Sequence, residues 1–302
     1  MLKNLHENGS GCWIGNYFYG ALSYADDLCI LNPTLSGLQD MLNVCENYGT
    51  EYEVLFNPKK TQCMKFSKQN QADELNIDVK LCGQKLSWVK EAKYLGNYIA
   101  TDLSEEVEIR KKVGVFFGGV NNLCATFKNV GVKSISSLFN SFCCHFYGSQ
   151  AWRLRDKYTE RIFTAWNKAV RHIFNLPYTT HRYFLPFIVG RLFVKDELYL
   201  RTRKLILTML NSKNASVNFL TRSNIEIQTS VIGCNWYLIN RQLNIDVNCE
   251  NPKYTLLKRL NETFTTECGV LLELLDILDG QMSVPNFNSY EIKDMLIDIC
   301  TM

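Results

Sequence analysis

Residues 17–31 read YFYGALSYADDLCIL. Two apolar runs, with Phe18, Leu22 and Tyr24 on one side and Leu28, Ile30 and Leu31 on the other, flank Ala25-Asp26-Asp27. Strand-type residues around a short polar break predict a β-hairpin. A turn accepts aspartate readily, because the carboxylate can bond its own backbone. Two adjacent carboxylates repel each other and resist burial. On spacing alone they belong to an ordinary solvent-facing turn. The chemical alternative is a divalent-cation site, because hard cations such as Mg²⁺ bind through one or two carboxylates plus phosphate oxygens. In two-metal phosphoryl transfer such ions stabilise the attacking and leaving oxygens.

Outward from the hairpin, Pro33-Thr34 opens a helical stretch in which Leu35, Leu38, Met41, Leu42, Cys45 and Tyr48 recur at three- and four-residue steps, and Gly49 is read as its end. Short β-type runs follow at 52–56, 61–66, 79–82, 85–89 and 93–99. Asn57-Pro58-Lys59-Lys60 is a turn between the first two, and Gly83-Gln84 joins a hairpin. The first hundred residues are therefore mixed α and β. After Leu103 the period becomes helical. Ile109, Val113, Phe116, Phe117, Val120, Leu123 and Phe127 form one stripe. Ile135, Leu138, Phe139, Phe142 and Phe146 form a second. Ile162, Ala165, Trp166, Ala169 and Ile173 form a third, which Leu176-Pro177 stops. The remainder reads as helix with polar breaks near 211–218 and 248–252. The expected class is α+β, with boundaries at 1–102, 103–177 and 178–302. Trp152 and Trp166, at helical spacing, are expected in the core.

The 302 residues are 46% hydrophobic and 21% charged, which is enough apolar material for a sizeable core and excludes wholesale disorder. Net charge is only +3, but it is unevenly spread. Residues 150–213 hold 13 Lys/Arg against 4 Asp/Glu, whereas residues 214–302 hold 6 against 11. The middle segment is a candidate phosphate-facing surface. The acidic tail makes direct nucleic-acid contact there a poorer expectation. The 12 cysteines show no C-x2-C or C-x4-C spacing, so a zinc knuckle is not expected. The opening MLKNLHENGS lacks an apolar signal core, and no apolar run is long enough to span a bilayer. The expected location is intracellular, cytoplasmic or nuclear, without secretion or a membrane partner.

The Tyr24-Ala25-Asp26-Asp27 hairpin resembles motif C of reverse transcriptases, and GCWIGNYFYGALSYADDLCIL resembles the non-LTR (LINE-type) retrotransposon enzymes in particular. Further matches follow in that family's order. The helix leading to FNPKKTQCMKF (56–66) resembles motif D, and KYLGNYI (93–99) resembles the primer-grip motif E. The IRKK helix, SFCCHFYGSQAW (141–152) and AWNKAVRHIFNLPYTTH (165–181) resemble the thumb and the segment after it. The resemblance covers roughly residues 10–220.

It implies a partial polymerase palm, then a helical thumb and a helical C-terminal region. Asp26 and Asp27 would be Mg²⁺-binding carboxylates, with Tyr24 beside the primer end or the incoming nucleotide. Lys59 or Lys60 would face the triphosphate, where a cation stabilises developing charge. Tyr94, Leu95 and Gly96 would position the primer, and Arg153, Arg155, Lys168 and Arg171 would track the nucleic-acid backbone. The implied partners are an RNA template and a DNA primer. A third carboxylate from the family's motif A cannot be placed, because 23 residues precede Tyr24 and Glu7 is the one acid among them. Fingers and motif B are not placed either. The chain alone is therefore expected to be catalytically incomplete, with residual nucleic-acid binding, unless the rest of the palm and fingers is supplied in trans or from upstream. The alternative is a helical interaction protein with no nucleic-acid role.

Overall fold

The structure is a computed structural model and describes residues 1–66, 78–128, 130–243, 251–259 and 262. The chain is α+β and divides into two compact units. One comprises Met1–Ser104 with Ser212–Arg222, and the other the remainder.

In the first unit, α1 (Leu2–Glu7) precedes two β-hairpins, β1 (Trp13–Ile14) with β2 (Tyr17–Phe18) and β3 (Ala21–Tyr24) with β4 (Asp27–Ile30). Helix α2 (Leu35–Tyr52) starts where expected. Thr34 is in extended geometry, and its hydroxyl accepts the Gly37 N–H at 3.2 Å. Met41, Leu42 and Cys45 are its buried stripe. Leu5, Met41 and Cys45 gather Ala21, Leu28 and Ile30 of the hairpin, while Leu42 joins Cys63, Val79, Leu81 and Leu86.

Gly49 does not end the helix, which runs on to Tyr52 and is closed by Glu53 in the left-handed region. Glycine is needed at 49 for close approach. The returning Val54 N–H donates to the Gly49 carbonyl at 2.9 Å, and a Cβ at Gly49 would lie 2.7 Å from the Val54 carbonyl oxygen. Residues 52–56 are accordingly not a strand.

Four more short strands are β5 (Gln62–Cys63), β6 (Lys80–Leu81), β7 (Gln84–Lys85) and β8 (Ser87–Trp88). β5 pairs with β8 in parallel and β6 with β7 antiparallel. The β6–β7 turn is Cys82-Gly83, one residue earlier than expected, with φ of 49° and 72°. Positive φ at both central residues matches the right-handed twist of the flanking strands. From α2, the Gln39 amide accepts the Lys80 N–H at 2.8 Å and donates to the Lys80 carbonyl at 2.9 Å, so a side chain fills the place of a neighbouring strand.

The run 93–99 is not one strand. It is a hairpin of β9 (Glu91–Tyr94) and β10 (Asn97–Ala100), with Leu95 and Gly96 at φ of 46° and 82° in the turn. Helix α8 (Ala215–Glu226) contributes its first part to this unit. Tyr19 Oη donates to the Ser216 carbonyl at 2.7 Å, and the rings of Tyr17 and Phe219 lie 5.0 Å apart.

The second unit is helical. Its elements are α3 (Glu106–Thr126), α4 (Val132–Leu138) with a π-turn (Phe139–Cys143), a 3₁₀ turn (Ser149–Ala151), α5 (Thr159–Ile173), α6 (Leu185–Val189), α7 (Val194–Leu210), the end of α8, α9 (Val231–Leu243) and a helical stretch at 252–259. One core runs from Ile109 to Leu256 and joins residues on both sides of position 177. Trp166 is 1% exposed at its centre, and Trp152 is also buried. The second apolar stripe is not a continuous helix. The π-turn breaks its phase, so Phe142 is 69% exposed, while Phe146 reaches the core only after the chain has left the helix with φ of 38°. Most of the acidic C-terminal region lies outside the described residues.

Asn235 on α9 clamps the extended stretch before α5. Its Oδ1 accepts the Leu154 N–H at 3.0 Å, and its Nδ2 donates to the Trp152 carbonyl at 2.7 Å. Asn235→Leu would strand two buried backbone groups. It is expected to cost about 2–3 kcal/mol, read as a lowered urea midpoint at unchanged slope. A change below about 0.5 kcal/mol would mean the clamp is idle.

Candidate functional site

The YADD residues stand at the tip of the β3–β4 hairpin. The turn has two residues, Ala25 and Asp26, and Asp27 is already the first residue of β4, paired with Tyr24. Ala25 has φ of 51°, a strained value for a residue with a Cβ, worth about 1–2 kcal/mol. Register fixes the faces. Ala21, Leu28 and Ile30 pack on Leu5, Met41 and Cys45. The opposite face carries the pairs Tyr24–Asp27 and Leu22–Cys29. Tyr24 is 67% exposed, and Asp26 and Asp27 are exposed too.

Tyr94, at the end of β9, is drawn into this neighbourhood. Burial pushes its phenol up from the ordinary range, and the nearby charges of Cys29 and Asp27 add to the shift. Cys29 was not singled out by sequence reasoning; its alternation with Asp27 on β4 was the available signal. Burial likewise pushes the Cys29 thiol up, which favours its protonated form.

Lys59 and Lys60 are exposed on a separate turn. Asn57 builds that turn by accepting the N–H groups of Lys59 and Lys60 at 3.1 and 3.2 Å. Leu95 and Gly96 are turn residues whose backbone geometry sets the β9–β10 hairpin.

A magnesium centre of the two-metal kind needs more than this hairpin offers. Among the described residues, no three His, Cys, Asp or Glu side chains are grouped to hold a metal ion. Asp26 and Asp27 are adjacent, one in the turn and one on the strand face. They do not by themselves make a cage for two ions, and no reaction step follows from them alone.

Part of the basic segment is engaged within the protein. Arg171 Nε and Nη2 donate to the Thr180 carbonyl at 3.2 and 2.7 Å, and Nη1 donates to the Asn167 carbonyl at 3.3 Å. Arg191 is bidentate on Glu197 and donates to Asn140 Oδ1 at 3.2 Å. Arg201 donates to the carbonyls of His145 and Cys144 at 2.6 and 3.3 Å. Arg203 is buried. A guanidinium with five donors satisfies loop carbonyls that would otherwise be orphaned, so the net positive charge of residues 150–213 partly serves folding. Arg153 is half-buried, and its backbone N–H donates to the Glu105 carboxylate. Arg155 and Lys168 are exposed.

Every described cysteine is unpaired. Among the described residues no helix is long and apolar enough to cross a membrane. The chain matches no protein-family model and no curated protein.

Proposed function

We propose that this chain is the motif C to thumb portion of a LINE-type RNA-directed DNA polymerase of retrotransposon origin, incomplete as a catalyst by itself. The observation that supports it best is the hairpin. A two-residue turn places Asp26 at the tip, and Tyr24 and Asp27 share one outward face. The ordered run of motifs from 93–99 through 165–181 adds to it. On this reading residues 1–102 are the partial palm and residues 103–177 the thumb. Asp26 and Asp27 would contribute two oxygen ligands to Mg²⁺, with a third carboxylate required from outside the residues described. Lys59 and Lys60 would face the nucleotide phosphates, and Leu95 and Gly96 would shape the primer-positioning turn.

A second reading, a helical interaction protein with no nucleic-acid role, is favoured by the internal use of Arg171, Arg191, Arg201 and Arg203. Two measurements separate the two. Primer extension on a primed RNA template with Mg²⁺ and dNTPs is expected to give no product above background, with or without Asp26→Ala. Affinity for the same template–primer duplex is expected to fall steeply as salt rises, because phosphate contacts release counterions. Absent or salt-insensitive duplex binding would sink the polymerase reading. Extension abolished by Asp26→Ala would instead show a completed metal site.

A further inference from the structure

Between Glu160 and Asp196 the chain carries six Lys/Arg and no acidic residue. Within that stretch the loop at 178–183 puts Tyr178 in solvent, while Tyr183 is 38% exposed and also meets the Phe193 ring edge-on at 6.1 Å. Tyr178 is 90% exposed. The rings of His181 and Tyr183 lie 4.7 Å apart, inclined by 33°, and the Arg182 guanidinium sits 5.3 Å from the Tyr183 ring centroid.

This loop is fixed in place from beneath. The Arg171 side chain holds the Thr180 carbonyl with two donors, the Thr180 N–H donates to the Pro177 carbonyl at 3.0 Å, and the Phe184 N–H donates to the His181 carbonyl at 3.1 Å. On α5, which leads into the loop, Lys168 and His172 are exposed one turn apart.

A single exposed tyrosine is unremarkable on a protein surface. Rigid exposed rings beside cations, in a stretch free of carboxylates, match a ligand with both π-faces and phosphates. We propose that residues 178–183 form a stacking platform for single-stranded nucleic acid. Tyr178 takes a base face, the exposed side of the His181–Tyr183 pair takes a second, and Arg182 takes the backbone. Base–aromatic stacking tolerates any sequence, because every base has a π-face. The platform uses no residue of the β3–β4 hairpin, and its Tyr178, Tyr183 and Arg182 are not among the residues the polymerase reading assigns.

The test is a titration of fluorescein-labelled oligo(dT), about 20 nucleotides long, without Mg²⁺ or dNTPs. Tyr178→Ala with Tyr183→Ala is expected to weaken binding by at least about 10-fold, and Tyr→Phe at both positions to keep it within about 2-fold. Where Tyr183→Ala lowers the melting midpoint, Tyr178→Ala alone carries the test, since that side chain is almost wholly in solvent. Wild-type affinity in the folded alanine variant overturns the proposal. So does a blunt duplex that competes as well as the single strand, or a folded wild type that binds no oligo(dT). Loss of duplex binding with retained oligo(dT) binding would fail the polymerase reading and leave the platform standing.

Discussion

Glu197→Ala is expected to destabilise the helical unit by about 3–5 kcal/mol. The Glu197 carboxylate takes the Arg191 guanidinium in bidentate fashion, and both side chains are largely buried. Arg201 Nη2 stands 3.8 Å from the same carboxylate. One anion therefore serves two guanidinium groups, and its removal leaves both without a counter-charge. The damage spreads because each arginine also holds backbone or amide groups. Arg191 orients Asn140, whose Nδ2 donates to the Val189 carbonyl at 3.2 Å, and Arg201 holds the carbonyls after the π-turn. Typical domains are stable by about 5–15 kcal/mol, so such a loss removes a large share of the margin. Equilibrium urea unfolding followed by far-ultraviolet circular dichroism measures it. Replacing both partners, Arg191→Met with Glu197→Leu, is expected to recover much of the loss, because an apolar pair leaves no buried charge uncompensated. If Glu197→Ala stays within about 1 kcal/mol of wild type, the pair behaves as an exposed one and the network argument fails.

That network marks the limit of what was legible in the sequence. Periodicity identified the buried faces of α2, α3 and α5, because amphipathic spacing is a local property. It placed Trp166 and Trp152 in the core for the same reason. It could not show that Arg171, Arg191 and Arg201 turn inward, because their carbonyl partners lie in loops whose course is set by tertiary packing. A count of charges therefore overstated the cationic surface. Turns were read one residue out at Cys82-Gly83 and missed at Leu95-Gly96. There a leucine takes the left-handed position that Asn or Gly usually fills, so only Gly96 signalled the break. Gly49 was misread because a glycine that permits close approach looks like one that ends a helix. At the candidate site, the YADD hairpin was visible in alternation alone. The outward pairing of Tyr24 with Asp27 across a turn that begins at Ala25 was not, because a left-handed alanine carries no local signal.

Stability of the folded chain is expected to rise, not fall, as the solution is taken from about pH 8 to about pH 5. Two carboxyls drive this. Burial raises Glu105 from its ordinary 4.5 to about 7; the N–H of Arg153 opposes the shift, and Asp156 and Glu108 add to it. Among the described residues Glu105 Oε2 is buried with no hydrogen-bond partner, so the ionised form is poorly served. Burial also raises Asp196 from 3.8 to about 6, against Lys195 and with help from Glu197. In both cases the folded state binds the proton more tightly than the unfolded chain does. The folded state therefore holds more protons between about pH 4 and 7, and stability declines as pH climbs through that window. Each full shift is worth about 3 kcal/mol, gained progressively below about pH 7 for Glu105 and below about pH 6 for Asp196. Carboxylates held in the opposite sense end the gain at lower pH. Lys85 keeps Asp78 below its ordinary value, so that contribution is lost as the solution becomes strongly acidic. Urea midpoints measured at intervals from pH 8 to pH 5 give the slope directly. Glu105→Gln is expected to raise stability at about pH 8 and flatten the portion between about pH 6 and 7, because the amide cannot ionise. A midpoint that falls steadily from pH 8 to pH 5 in the wild type would show that neither carboxyl is held in its neutral form by the fold.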